Sequence, residues 1–349
     1  MSRSSWWRSL LLGGVMALAS SCAGAEGDDG DGGTGELFGN ANGTVLTVYS
    51  GRSEELVGPM LDEFADEAGV EVEVRYGDTA EMAATILEEG DNSPADVFFG
   101  QDAGALGALK VEGRLIELPD DVLGRVDERF ADPEGQWVGT SGRARVIGYN
   151  TEALAEEELP DSILDLAEPE WEGRLGWAPT NGSFQAHVTA LRAELGDEVA
   201  AEWVEGLAEN GAAYENNTAI VEALGRGEVE VGLVNHYYLY RFLEEDPGFP
   251  VDNAFLTGAD IGNLVNIAGV GVLDTADDPE VSFELARFLL TEEAQAYFSE
   301  EVFELPVVAG VARDERIPAV EEIDTPDLDL SDLEDLEGTL ELLRHAGAL

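Results

Sequence analysis

The chain has 349 residues, with 74 Asp and Glu against 18 Lys and Arg, and a formal net charge of −56. Such an acidic excess argues against nucleic-acid binding, which needs a basic footprint. The acids are spread along the whole chain, so we interpret them as a solvated surface suited to high salt; binding of a basic partner or of cations is the alternative interpretation.

The N-terminus predicts export. A short basic region with Arg3 and Arg8 precedes an apolar stretch at 10–19, which has the length of a signal-peptide core rather than a membrane span. Small residues then lead to Cys22, the only cysteine, and this resembles a bacterial lipoprotein cleavage box. We predict a lipoprotein signal peptide over 1–22, lipidation at Cys22, and a location at the extracellular face of the cytoplasmic membrane or in the periplasm. Ordinary cleavage that leaves a free thiol is the alternative.

The next segment, 23–43, is rich in Gly and Asp and has almost nothing to bury, which predicts a flexible linker. The folded part then spans about 305 residues, too many for one core of ordinary size, so two lobes are expected. A single cysteine excludes an internal disulfide framework.

The first half of the folded part alternates between strand and helix patterns. Apolar residues alternate with polar ones at 70–76, whereas those at 53–68 follow helical spacing. The predicted elements are strands 45–50, 70–76 and 95–99 and helices 53–68 and 79–89. This β-α-β-α-β order predicts a doubly wound parallel sheet.

The second half predicts another α/β unit. Its elements are strands 175–178, 228–234 and 264–273 and helices 183–195, 197–209, 217–226, 236–245 and 279–299. We expect the chain to cross between the two units near 141–149 and to return near 264–273.

Ligands of open α/β sheets bind beyond the carboxyl ends of the strands. The segments at these ends are 50–53, 100–102, 180–183 and 235–238, and each is a polar turn into a helix. Because helix N-termini favour anions, these turns are the candidate ligand-binding segments.

Tyr237 and Tyr238 are the most informative pair. Adjacent residues inside a helix point about 100° apart, but at a strand-to-helix turn their side chains can converge. They could pack, stack on a sugar or organic cation, or bind a hard trivalent cation as phenolates. Spacing alone leaves all three uses open.

Several segments together resemble the periplasmic ferric-binding proteins, the solute receptors of iron(III) ABC importers. NHYYLYRF at 235–242 resembles their di-tyrosine segment. The other similar segments are SPADVFFGQDAGAL, SGRARVIGYN, PEWEGRLGWAPTNGSFQAHVTAL and LARFLLTEEAQAYF. The similarity covers 45–349 in the family's order. It implies an α/β, two-lobed periplasmic-binding-protein fold of type II, hinged by crossover strands.

The resemblance and the two crossings together give the expected organisation. Lobe 1 comprises 44–145 plus 268–315, and lobe 2 comprises 146–267 plus 316–349. A ligand between the lobes would stabilise the closed form. The implied partners are an ABC permease and its ATPase, with the receptor itself a monomer, anchored by lipid to the membrane and not an enzyme.

The resemblance also implies roles for individual residues. Tyr237 and Tyr238 would bind Fe³⁺ as cargo. The positions that would hold a synergistic anion, phosphate or carbonate, beside the metal are Asn181, Gly182, Ser183, Asn217 and Asn235, with Arg143 near that site.

This sequence departs from the family at two positions. Many relatives carry a histidine ligand where this chain has Ser53, and a glutamate where it has Gln101. The metal would then depend on the tyrosines plus carbonate, hydroxide or a small chelate, with Arg52 and Arg143 balancing the anion. The remaining candidates are Ser53 for the anion, and Gln101, Asp102 and His236 as possible ligand contacts.

Two other functions stay open. A receptor of the same fold could bind an organic or oxyanion ligand such as thiamine, a phosphonate or a sugar phosphate, since fold does not fix ligand. A secreted enzyme is the other, but the sequence has no nucleophile–base pattern and no His-Glu-x-x-His motif.

Overall fold

A computed structural model describes residues 43–349. The predicted signal peptide, Cys22 and all of the predicted linker except Gly43 lie outside the described residues. The strands are β1 Val45–Ser50, β2 Glu71–Tyr76, β3 Val97–Gly100, β4 Val138–Asn150, β5 Leu175–Trp177, β6 Gly211–Ala213, β7 Val231–Asn235, β8 Val251–Ala254 and β9 Val265–Val272. The helices are α1 Glu54–Ala68, α2 Thr79–Glu89, α3 Ala103–Val111, α4 Asp120–Leu123, α5 Gly182–Leu195, α6 Asp197–Asn210, α7 Asn217–Gly225, α8 Tyr237–Glu245, α9 Pro279–Leu289, α10 Glu292–Glu300 and α11 Leu336–His345.

Within residues 43–349, nine strands join in one sheet of order β2-β1-β3-β9-β4-β7-β5-β6, with β8 also paired to β4. The strands β1, β2 and β3 are parallel, as are β5, β6 and β7. However, β9 runs antiparallel to β3, and β4 runs antiparallel to β9 and β7. The strands predicted at 45–50, 70–76 and 95–99 are thus parallel, as expected, and the sheet as a whole is mixed because two long antiparallel return strands lie at its centre.

β4 carries the chain from one half of the sheet to the other. Its first part, up to Ala144, pairs with β9, and from Arg145 onward it pairs with β7. The chain therefore crosses where the sequence predicted, and β9 makes the return crossing. The result is the two-lobed α/β fold of type II.

The predicted helices bury their apolar stripes, whereas α3, α4 and α11 were not predicted. In α1 the buried positions Val57, Met60, Leu61 and Phe64 follow helical spacing, and Gly69 ends the helix in the left-handed conformation. The turn before α1 is tightly packed, since a side chain at Gly51 would collide with Thr79. This close approach fixes the position of the residues that follow β1.

The predicted helix 279–299 is two helices, α9 and α10. The break falls at Leu290 and Thr291, where the Thr291 side chain accepts a hydrogen bond from the Ala294 amide at 3.2 Å and caps α10. Periodicity alone missed this break because the apolar stripe continues across it. In residues 43–349 no helix is both long enough and apolar enough to cross a membrane.

Candidate ligand-binding cleft

A cavity of about 890 Å³ lies between the lobes. Predicted site residues from both lobes line it: Arg52, Ser53, Gln101 and Asp102 on one wall, and Asn181 and Gly182 on the other. Two distant parts of the sequence therefore meet at one cavity, as expected from the strand ends.

Helices begin at this cavity from both walls. Asn181 caps α5 by accepting from the Ser183 amide at 3.1 Å, and Asp102 caps α3 by accepting from the Ala105 amide at 2.9 Å. Burial raises the pKa of Asp102, while the Ala105 amide and the charge of Arg143 oppose that rise. Ser53 precedes α1, is exposed, and makes no capping bond with its side chain.

Three arginine side chains are buried near this cavity, and of these only Arg52 lines it. Arg52, Arg143 and Arg145 are 0%, 2% and 3% exposed. In each, Nε and one terminal nitrogen have no hydrogen-bond partner. Buried donors without partners cost free energy, and an anion would supply the missing acceptors.

The bonds that these arginines do make hold them in place. Arg143 Nη2 donates to the Ile267 carbonyl at 3.1 Å. Arg145 Nη1 donates to the side-chain oxygens of Asn235 at 3.0 Å and Asn217 at 3.3 Å. Both asparagines were predicted to bind the anion, and in the structure their side-chain oxygens accept hydrogen bonds from the buried Arg145.

A small network ties the second-lobe site residues together. Asn235 Nδ2 donates to Ser183 Oγ at 3.1 Å, and the Asn235 amide donates to Asn217 Oδ1 at 3.2 Å. These bonds join the starts of α5 and α7 to the end of β7. The anion-binding segment predicted from the sequence is thus a single connected unit.

The tyrosine pair converges as a strand-to-helix turn allows. Tyr237 opens α8 directly after β7, and its ring stacks on that of Tyr238 at 4.3 Å with an interplanar angle of 27°. Burial, followed by the neighbouring Tyr237, raises the pKa of Tyr238 far above that of a free phenol, while Arg143 and Arg52 oppose the rise. Neither ring lines the cavity itself. Their proximity to it follows from these arginines, since Arg52 both lines the cavity and acts on Tyr238.

His236 supports this turn from within the protein. Its ring is fully buried, Nδ1 accepts from the Ala144 amide at 3.2 Å, and the ring meets Tyr237 edge-on at 5.8 Å. Burial lowers the pKa of His236 to about 4, so the ring is neutral at neutral pH. These contacts join the start of α8 to the crossover strand.

The comparisons with known proteins agree with this architecture. The family of bacterial extracellular solute-binding proteins matches residues 59–325. The chain belongs to this family. The solute-binding protein is 30% identical over 306 residues to the major ferric iron-binding protein of Neisseria meningitidis serogroup B, covering 86% of this chain and 92% of that one. The family comprises transport proteins that bind solutes and are not enzymes.

Two solved structures are similar over nearly their whole length. Iron-bound HitA from Pseudomonas aeruginosa is 33% identical with a TM-score of 0.82, covering 87% of this chain and 99% of that one. A Trichodesmium protein in complex with iron and citrate is 30% identical with a TM-score of 0.78, covering 88% and 100%.

Two functional candidates of this solute-binding protein were missed by the sequence analysis. Arg145 lies two residues after Arg143 on β4, so both side chains share one face of the strand, and this alternation was the available signal. Glu304, which pairs with Arg52 at 2.9 Å, follows α10 outside any strand or helix. No local pattern marks it, because only the fold brings it to the site.

Proposed function

We propose that this solute-binding protein is the extracellular ferric-iron receptor of an ABC importer. It would hold Fe³⁺ together with an anion or a small chelate between its lobes and deliver it to the permease and its ATPase. The observation that carries the proposal is the stacked pair Tyr237 and Tyr238 beside the buried arginines Arg52 and Arg143. The names of the relatives support it.

The chemistry of the pair suits a hard trivalent cation. Phenolate oxygens are strong ligands for Fe³⁺, and a +3 charge displaces protons that burial otherwise holds in place. The positive charges of Arg52 and Arg143 oppose the pKa rise of Tyr238 and so favour the phenolate. Asp102 and Gln101, which line the same cavity, are the candidate protein oxygens that would complete the metal site.

The arginines and the second-lobe network are proposed to bind the accompanying anion. The residues assigned to it are Arg52, Ser53, Arg143, Arg145, Asn181, Gly182, Ser183, Asn217 and Asn235. Carbonate, phosphate and a small carboxylate chelate all fit this donor set.

Titration with ferric citrate tests the proposal. We expect a visible phenolate-to-iron absorption band and one iron per protein by metal analysis. Because phenylalanine keeps the ring and deletes only the oxygen, Tyr237→Phe and Tyr238→Phe should each weaken the band, and the double variant should lose it. Tyr240→Phe, on the same helix, is the matched control, since the Tyr240 hydroxyl donates to the Arg316 carbonyl at 3.0 Å. A double variant that stays coloured and holds iron as tightly as wild type would refute the assignment.

A metal-free oxyanion receptor is the second candidate, favoured by the unpartnered nitrogens of the three buried arginines. Calorimetry with phosphate, citrate and a phosphonate in the absence of iron separates the two. Tight binding of an organic oxyanion, unaffected by iron or by the tyrosine variants, would favour this candidate.

We further propose that the protein is a monomer anchored to the membrane through a lipid on Cys22. The support is the order of basic, apolar and small residues before the only cysteine. Cys22→Ala should release the protein from the membrane fraction or block its processing. A variant that fractionates and migrates like wild type would refute the anchor.

A further inference from the structure

Glu304 is a fully buried carboxylate that pairs with Arg52, a residue of the cavity wall. Its Oε1 and Oε2 lie 2.9 and 3.0 Å from Arg52 Nη2, and Ser141 Oγ donates to Oε2 at 2.5 Å. In residues 43–349, it is the only carboxylate in an ion pair with any of the cleft arginines, since Arg143 and Arg145 have none. One of the three buried cations therefore has a resident counter-ion and two do not.

The backbone holds Glu304 firmly at the crossover strand. The next residue, Leu305, exchanges two backbone hydrogen bonds with Gly142 of β4, at 2.7 and 2.8 Å. The preceding residue, Phe303, has a φ of 61°, a left-handed conformation that is uncommon for a non-glycine residue. Such a conformation persists only where the surroundings enforce it, and the Phe303 ring packs on Tyr240 of α8 at 5.6 Å. The backbone on either side of the carboxylate is thus held against β4 and α8.

Arg52 is only partly satisfied by this pair. A guanidinium has five N–H donors in a rigid fork, and Glu304 engages Nη2 alone. Nε and Nη1 of Arg52 have no partner, although the residue lines the cavity. Glu304 therefore sets the orientation of Arg52 and leaves the rest of the fork for an incoming anion.

We propose that Glu304 is the internal counter-ion of Arg52: it positions the guanidinium and competes electrostatically with the anion that accompanies the cargo. This inference rests on the proposed function, in which Arg52 contacts that anion. In the empty site the carboxylate neutralises a buried charge that would otherwise be costly. In the loaded site the carboxylate still shares the positive charge of Arg52, so less of that charge holds the anion and its release is easier. Glu304 is a positioning residue that acts through Arg52 and touches neither anion nor metal.

The test is Glu304→Gln, which keeps the shape and an acceptor for Arg52 but removes the charge. The probes are bicarbonate, and citrate with and without Fe³⁺. We expect the dissociation constant for the anion to fall by about tenfold, because charge-assisted bonds from Arg52 are no longer offset by a neighbouring carboxylate. The melting temperature of the empty protein should fall, while the rise in melting temperature on adding ligand should grow.

Two matched variants separate charge from structure. Ser141→Ala removes a hydrogen bond to Glu304 but keeps its charge, so anion affinity should not increase. Glu230→Gln removes a half-exposed ion pair with Arg174 and should alter neither affinity nor the ligand-induced shift. If Glu304→Gln lowers the melting temperature of empty and loaded protein equally, with unchanged anion affinity, the residue is merely structural and the inference is overturned.

A double variant keeps the test valid if Glu304→Gln alone does not fold. Arg52→Gln with Glu304→Gln buries no lone charge, and it is compared with Arg52→Gln alone. Equal anion affinity in these two proteins is expected, because Glu304 acts only through Arg52; a difference overturns the inference. Wild type that binds neither iron nor anion would overturn the proposed function itself, whereas wild type that binds both beside an unresponsive Glu304→Gln overturns only this inference.

Discussion

Two arginines at the surface, Arg287 and Arg192, have carboxylate partners, whereas two buried arginines near the cleft, Arg143 and Arg145, do not. The Arg287 side chain lies at the surface and is 14% exposed. It pairs with Asp121 at 2.7 Å and also with Glu280 and Glu284. Arg192 likewise pairs with Asp197 and Asp335.

In the described part of the chain, Arg143 and Arg145 have no carboxylate partner at all, although they are more deeply buried. The chain has 74 acidic and 18 basic residues, so a shortage of carboxylates does not explain why Arg143 and Arg145 have none as partners.

This difference supports the proposal that Arg143 and Arg145 bind an anion. An unpaired buried ion lowers the stability of the fold by roughly several kcal/mol, so it is retained only where another interaction compensates for that loss. Burial lowers the pKa of Arg145 to about 10, which still leaves the side chain charged at neutral pH. The anion proposed above would supply the acceptors that these two side chains lack. The comparison is therefore open to direct tests.

The largest expected effect comes from removing both unpaired cations. Arg143→Gln with Arg145→Gln should weaken binding of citrate or bicarbonate by about a hundredfold, since each arginine loses charge-assisted bonds to the anion. The empty protein should be as stable as wild type or more so, because buried charge is relieved. Calorimetry and thermal melting measure the two quantities.

Arg226→Gln is the matched control, because Arg226 pairs with Glu222 and Glu228 at the surface. It should leave anion affinity unchanged. A cleft double variant that unfolds more readily yet binds anion normally would show that the cleft arginines are structural and would break the comparison.

The second prediction concerns His187, a buried basic residue that is neutral in the folded protein. His187 on α5 is fully buried, and its Nε2 bonds to the Ile261 carbonyl at 3.0 Å. Burial, then the charge of Arg145, lowers its pKa to about 3. The unfolded chain therefore binds a proton below about pH 6.5 that the folded protein refuses. The contribution of neutral His187 to the free energy of unfolding is therefore complete above about pH 6.5. It is lost as the pH falls toward 3, by about 1.4 kcal/mol per pH unit.

The measurement is the free energy of unfolding against pH for wild type and His187→Gln. The variant should show a shallower decline below pH 6.5, whatever its stability at pH 7. His345→Gln, at an exposed position near the end of α11, should keep the wild-type slope. Identical slopes for wild type and His187→Gln would show that His187 is protonated in the fold.

The sequence predicted most elements and the location of the crossing, but only part of the site. Residues near strand ends, such as Arg52 and Asn181, were identifiable because topology alone brings those ends together. The sequence allowed Tyr237 and Tyr238 to converge but left their use open, and it did not predict that the two rings stack on each other. Glu304 was beyond reach, because its partner Arg52 is 252 residues away and no periodicity links them. Burial without a partner, the property that marks Arg145, depends on neighbours that only the fold supplies.

The smallest expected effect is the dependence of the melting temperature on salt, which comes from repulsion between acidic side chains on the exterior. With a formal charge of −56, the folded chain repels itself, and salt shortens the screening length from about 10 Å at 0.1 M to about 3 Å at 1 M. The melting temperature should rise over this range, by about 2–4 °C for each kcal/mol of repulsion removed. Surface pairs such as Arg287 with Asp121 lose strength in salt, but they are outnumbered by acids without a basic partner.

Replacing the exposed Glu202, Glu205 and Glu209 of α6 with Gln should raise the melting temperature at 0.1 M NaCl and have less effect at 1 M. A melting temperature that is flat or falls with salt would mean that the fold compensates its acids locally, and the contrast between a repulsive exterior and buried arginines without carboxylate partners would no longer hold.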